Sequence, residues 1–251
     1  MNVAIFGGTF DPIHRGHLAV AQAAQRRFRL DCIYFVPADV PPHKQERTVS
    51  SFYHRYAMVA LATAGLPGLL PSLLEAPSSA GLRAPSYSVE TVRRIRRTLA
   101  QRDRLFFLIG IDAFLEIGTW HKAEALLQEV EFIVVSRPGF ALGQIMQALP
   151  ESLRAETSVL RGKSSESGDA GAAKGRVVIH LLPEVREKVS ATQLRVAAAT
   201  GRSLGKLVPE LVADYIRKAH LYRDEKQGQE AASNQRSKVV SIRNQRSNSK
   251  S

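Results

Sequence analysis

The chain has 251 residues, 44% of them apolar and 23% charged. That suits one large or two small soluble domains with a sizeable buried core. No apolar run approaches the ~20 residues of a membrane helix, and the single cysteine, Cys32, excludes an internal disulfide and any cysteine-cluster metal site. The formal net charge of +12 points to anionic partners, whether nucleic acid, acidic lipid or free nucleotide, without choosing among them.

Strand-like and helix-like stretches alternate along the chain. Residues 2–6 are an apolar β-type run; the N-terminus lacks the basic start and cleavage site of a signal peptide, so the cytoplasm is expected. Residues 15–28 are Ala-rich, with Leu18, Ala21, Ala24 and Phe28 at helical spacing. A strand at 32–37 precedes a helix at 50–64 and a short strand within 69–75. A helix at 88–100 carries a basic face of Arg93, Arg94, Arg96 and Arg97. The apolar strand 104–110 is followed by helical segments to Leu127, a strand at 131–136 and a last strand at 177–182. Helices at 193–200 and 209–219 close the chain. Strands separated by helices predict an α/β, doubly wound, Rossmann-like parallel sheet flanked by helices, with a small C-terminal helical segment. One domain over 1–222 is expected. The Ser/Gly/Ala-rich insertion at 162–175 and the polar basic tail at 223–251 hold too little apolar surface to offset their ordering entropy, and are expected to be disordered.

The first strand runs into Gly7-Gly8-Thr9-Phe10-Asp11-Pro12-Ile13-His14-Arg15-Gly16-His17. Glycines after a strand let backbone approach a phosphate, and a helix N-terminus adds unpaired N–H groups and a positive dipole end. Asp11 is expected to cap the helix, with Pro12 at its first position. His14 and His17 then share one face of the first turn. This pattern is neither a Walker loop nor a dinucleotide fingerprint, and no neighbouring Glu or Cys completes a zinc site around the two histidines.

Read whole, GGTFDPIHRGHL resembles the signature of the H-x-G-H nucleotidyltransferase family, and is most similar to its bacterial nicotinate-nucleotide adenylyltransferase branch. The resemblance implies adenylyl transfer from ATP to nicotinate mononucleotide in NAD biosynthesis, giving nicotinate adenine dinucleotide and pyrophosphate. It implies ATP over the first turn at Gly7, Gly8, Thr9 and Phe10, with His14 and His17 on its phosphates. Further segments carry the match in collinear order over roughly 1–222. Pro41-Pro42-His43-Lys44 resembles the family's PPHK loop and implies Lys44 on phosphate oxygens. Ser86-Tyr87-Ser88 resembles its S-Y-T and implies Ser88 beside the nicotinate carboxylate; by itself Ser88 reads as a helix cap. Gly110-Ile111-Asp112 resembles its G-x-D along the nucleotide, and Thr119-Trp120-His121 implies the pyridine ring against Trp120 with the His121 backbone toward the carboxylate. Arg137-Pro138-Gly139 implies Arg137 near the mononucleotide. Val189-Ser190-Ala191-Thr192-Gln193-Leu194-Arg195 implies Ser190, Thr192 and Arg195 on the outer phosphates; locally, Ser190 and Gln193 read as a capping box. His14, His17, Lys44 and Arg195 are thereby the catalytic candidates.

The resemblance also implies Mg²⁺ arriving with ATP, held by phosphates and water rather than by a protein metal cage. Other acceptors, nicotinamide mononucleotide first, stay open, as does assembly into a homo-oligomer. A basic nucleic-acid-binding protein, suggested by the charge and the arginine-rich helix, is the competing reading; obligatory nucleic acid and membrane partners are not expected.

Overall fold

The computed structural model describes residues 1–39, 49–77, 86–137, 142–161, 176–183, 185 and 189–223. A seven-stranded sheet runs through it in the order β3-β2-β1-β4-β5-β7-β6. The strands are β1 (Asn2–Gly8), β2 (Cys32–Pro37), β3 (Leu69–Pro71), β4 (Arg104–Gly110), β5 (Glu131–Val135), β6 (Thr157–Arg161) and β7 (Val177–Leu182), and every pairing is parallel. The helices are α1 (Arg15–Phe28), α2 (Phe52–Thr63), α3 (Ser88–Arg96), α4 (Ile111–Leu115), α5 (Ala123–Glu129), α6 (Leu142–Ala148), α7 (Glu151–Arg154), α8 (Ala191–Ala199) and α9 (Glu210–Lys218).

Successive strand side chains point to opposite faces, and both faces here are covered. Ala4, Phe6, Ile33, Phe35, Phe106 and Leu108 pack with α1, α2 and α9; Val3, Ile5, Leu105, Phe107, Phe132 and Ile179 pack with α3, α4 and α5 on the other side. A fully buried residue such as Phe35 contributes roughly 1.5–3 kcal/mol relative to its exposed form. The fold is therefore the doubly wound α/β sheet that the alternation predicts. Chain order reverses between β1, followed outward by β2 and β3, and its other neighbour β4. Such a switch opens a crevice beyond the carboxyl ends of the central strands.

Three elements escaped the sequence reading: α6, α7 and β6. Each is short, and β6 is an edge strand paired only with β7, so it has no two-sided apolar run to announce it. The start of α1 is also corrected. Asp11 and Pro12 do not cap it: the Asp11–Pro12 peptide is cis, His14 occupies the N-cap position, and its backbone N–H donates to His17 Nδ1 at 3.2 Å. Ser88 is not a cap either, since Tyr87 takes that place and Ser88 is the first residue of α3. The basic face of α3 is largely spoken for. Arg93 makes a two-pronged pair with Glu129 (3.0 and 2.7 Å), Arg94 donates to the Leu74 carbonyl (2.6 Å), and Arg96 donates to the carbonyls of Asp103 and Glu129 (3.2 and 3.1 Å). Disorder at 162–175 and over the tail was expected on residues outside the described ones, Arg223 excepted.

Candidate active site

β1 carries its ladder through both glycines, Gly7 pairing with Val36 and Gly8 with Pro37. Neither glycine has a positive φ; what they supply is room. A Cβ on Gly8 would meet the Phe10 ring at 3.0 Å. The left-handed residue of the turn is Phe10, at φ 47°. Phe10 is 2% exposed, its ring packed edge-on to Phe6 and His17.

The two imidazoles stack, with centroids 3.6 Å apart and planes 23° from parallel. His14 is buried, and that burial holds its pKa down at about 4, so it is a neutral ring at physiological pH. Among the described residues its Nδ1 has no hydrogen-bond partner. One first-turn donor of α1 is already used, because the Arg15 N–H bonds the Leu207 carbonyl at 3.0 Å.

The last motif arrives from β7. Ser190 caps α8 and accepts from the Gln193 N–H at 3.2 Å. Arg195 donates to Thr192 Oγ1 at 2.9 Å and to the Asp11 carbonyl at 2.8 Å, across 184 positions of sequence. The late guanidinium thus sits against the turn that leads into His14 and His17. Asp112 and Arg137, expected near ribose and mononucleotide respectively, lie at the ends of β4 and β5 and form an exposed ion pair at 2.8 Å. Lys44 lies outside the described residues.

On the other side of the turn, a cavity of about 510 Å³ opens at the topological switch, lined by Gly7 and Gly8 from β1, by Thr9 just after it, and by Ile109 and Gly110 from β4. Ser88, Trp120 and His121 also line it. Tyr87 stacks on His121 at 4.0 Å between centroids, and Trp120 packs edge-on to Phe107. Trp120 Nε1 is buried without a hydrogen-bond partner among the described residues. The cavity therefore joins an aromatic, hydroxyl-bearing end to the glycine turn.

Two residues of the site escaped the sequence reading. Glu75 lines the cavity, accepts from Thr91 Oγ1 at 2.6 Å, and burial pushes its pKa up against the opposing hydrogen bonds from Thr91 and Ser86. Nothing in its sequence neighbourhood marks it. Arg55 lies 1% exposed beneath the turn. A signal for it exists: it stands at helical spacing on the apolar stripe Phe52, Met58, Val59 and Ala62.

A glycine turn with imidazoles and a capped anion-type helix start, beside an aromatic cavity at a sheet switch point, defines a nucleotide-handling α/β enzyme. The profile of the cytidylyltransferase-like family matches residues 5–197. A probable nicotinate-nucleotide adenylyltransferase of Moorella thermoacetica is 37% identical over 221 residues, covering 88% of this chain and 91% of that one. One of Pseudomonas aeruginosa is 38% identical, covering 88% and 97%. Among solved structures, the Plasmodium falciparum nicotinic acid mononucleotide adenylyltransferase complexed with NaAD shares the fold at a TM-score of 0.61 and 18% identity, covering 88% of this chain and 97% of that one. The chain belongs to the cytidylyltransferase-like nucleotidyltransferases, within the nicotinate-nucleotide adenylyltransferase family.

Proposed function

We propose that this chain transfers the adenylyl group of ATP to nicotinate mononucleotide. The observation that carries the reading is the shared wall: Gly7, Gly8 and Thr9 bound the aromatic cavity on one side, and lead into the turn held by Arg195 and bearing His14 and His17 on the other. A mononucleotide seated with its pyridine at Trp120 and its phosphate toward that wall would meet the α-phosphate of ATP there. Ser88 and the backbone at His121 are assigned to the ring carboxylate, and Lys44 and Arg137 to the mononucleotide's phosphate end.

An oxygen of the acceptor phosphate attacks the α-phosphorus in line, and the bond to the departing pyrophosphate breaks. That nucleophile is already anionic, so the step needs neither a general base nor a covalent enzyme intermediate. Catalysis is positioning plus neutralisation of developing charge. Gly7, Gly8, Thr9 and Phe10 offer backbone to the nucleotide, with Gly110 and Asp112 beside it. His14, neutral as it is, contributes a hydrogen bond rather than a charge, and His17 engages the α-phosphate. Ser190, Thr192 and Arg195 hold the outer phosphates. Mg²⁺ carried on the ATP phosphates would supply further neutralisation of their charge beside His17, Ser190, Thr192 and Arg195. No helix among the described residues is long and apolar enough to cross a membrane, and a cytoplasmic enzyme is the reading we adopt.

The test is pyrophosphate release with ATP and a panel of acceptor phosphates: nicotinate mononucleotide, nicotinamide mononucleotide and phosphopantetheine. Fastest turnover on the nicotinate form is expected; preference for phosphopantetheine would overturn the assignment of Trp120. For the competing nucleic-acid reading, the intramolecular bonds of Arg93, Arg94 and Arg96 leave less free charge on α3 than the sequence suggests.

A further inference from the structure

Arg55 is among the largest fully buried side chains in the protein, on a helix whose neighbouring stripe is apolar. A buried guanidinium is an expensive choice at such a position, where an aliphatic side chain of like volume is commonly no less stable. Its contacts show what it accomplishes. Nη1 donates to the Thr9 carbonyl at 2.8 Å, Nε to the Ser50 carbonyl at 2.9 Å, and Nη2 to the Asp39 carbonyl at 3.3 Å. One planar fork thus ties together the turn after β1, the segment leaving β2 and the entry to α2. Only Arg presents so many donors in a fixed plane. Burial draws its pKa down while the charges of Asp11 and Asp39 pull it back, and a guanidinium stays protonated regardless.

The bond to Thr9 has a geometric consequence. In a trans peptide the C=O and the following N–H point opposite ways. Anchoring the Thr9 carbonyl inward to Arg55 therefore sets the Phe10 N–H on the opposite side of the turn. Phe10 itself holds a left-handed φ of 47°, a conformation a non-glycine residue keeps only when its surroundings impose it. The carbonyl two residues on, that of Asp11, accepts from Arg195 at 2.8 Å.

We propose that Arg55 is a positioning residue for adenylyl transfer: by holding the Thr9 carbonyl it orients the Thr9–Phe10 peptide and with it the turn that presents His14 and His17 to the triphosphate. The proposal rests on the adenylyl-transfer reading above, and it assigns Arg55 no contact with substrate. Misplacement of a preorganised site by about an ångström can lower turnover ~10²-fold, so the effect falls on kcat more than on the acceptor KM.

The test uses the full chain with Arg55→Lys and Arg55→Gln, each followed by urea denaturation and by pyrophosphate release, with turnover expressed per folded molecule. The expected result is a kcat lowered by about 30- to 100-fold in a variant that still unfolds cooperatively, with the KM for nicotinate mononucleotide moving less than about threefold. A kcat per folded molecule within threefold of wild type would overturn the proposal, because a purely structural residue alters the amount of folded enzyme and not its rate. Failure of both variants to fold would overturn it equally. A wild-type enzyme that releases no pyrophosphate on any acceptor refutes the adenylyl-transfer reading instead; Arg55 is then judged by calorimetric binding of ATP, expected at least tenfold weaker in Arg55→Lys, with unchanged binding counting against it.

Discussion

The phenolic hydroxyl of Tyr222 donates to Asp11 Oδ1 at 2.7 Å, joining positions 211 residues apart. Asp11 is 5% exposed and lies three positions before His14, the N-cap of α1. The bond closes the chain's last described segment onto its first turn. Burial raises the Tyr222 hydroxyl pKa well above its ordinary value, and the charge of Asp11 adds to the rise, so the tyrosine remains a proton donor at any working pH.

Tyr222→Phe leaves a buried carboxylate short of one donor. A loss of about 1–3 kcal/mol of stability is expected, read from urea denaturation. Turnover should fall with it, since the same turn leads to His14 and His17. Stability within error of wild type would show that Asp11 is satisfied without Tyr222.

His17→Ala is expected to lower turnover by at least ~100-fold, the scale seen when one well-placed donor to a developing oxyanion is removed. His17 Nδ1 also accepts the His14 backbone N–H at the start of α1, so about 1 kcal/mol of stability should be lost as well. A folded variant within a few-fold of wild-type turnover would remove His17 from the mechanism.

Trp120→Ala is expected to raise the KM for nicotinate mononucleotide about tenfold or more, combining lost ring stacking with lost apolar contact. The KM for ATP should change little, because Trp120 lines the cavity and not the turn gripped by Arg195. Equal effects on both substrates would place the pyridine elsewhere.

His14 makes stability depend on acid pH with a definite sign. Its pKa is about 4 in the folded protein against 6.5 unperturbed, because burial disfavours the cation. Between those values the unfolded chain binds a proton that the folded one refuses, so stability falls as pH drops from 6.5 to 4 and is unaffected by this group above 6.5. The full displacement corresponds to about 3 kcal/mol. His14→Asn should flatten that part of a denaturation–pH profile; an unaltered slope would assign it to other groups.

Much of this was readable in the sequence because it is local. Helix α1 follows from the spacing of Leu18, Ala21, Ala24 and Phe28, and the central strands from apolar runs buried on both faces. The stretch from Gly7 to His17 announces an anion turn because glycine, helix start and imidazoles adjoin in sequence. Edge strand β6 and helices α6 and α7 were missed, since short, half-exposed elements carry little periodic signal. Asp11 was misread as a cap because capping is a local rule, whereas its carboxylate answers to Tyr222 and its carbonyl to Arg195, both remote.

By itself, the order of residues determined most of the strands and helices and that the sheet is parallel, and it marked the glycine–imidazole stretch as a candidate anion turn, for these depend on period and on neighbours within a turn. Only the folded chain decided that β1 and β4 sit side by side and open a cavity between the glycine turn and Trp120. It alone brought Glu75 to that cavity and set Arg55 beneath Thr9. The physical reason is that hydrogen-bond partnership across tens of residues is a property of packing: helical period can mark Arg55 as facing the core, but nothing in its own segment says which distant carbonyls it will meet.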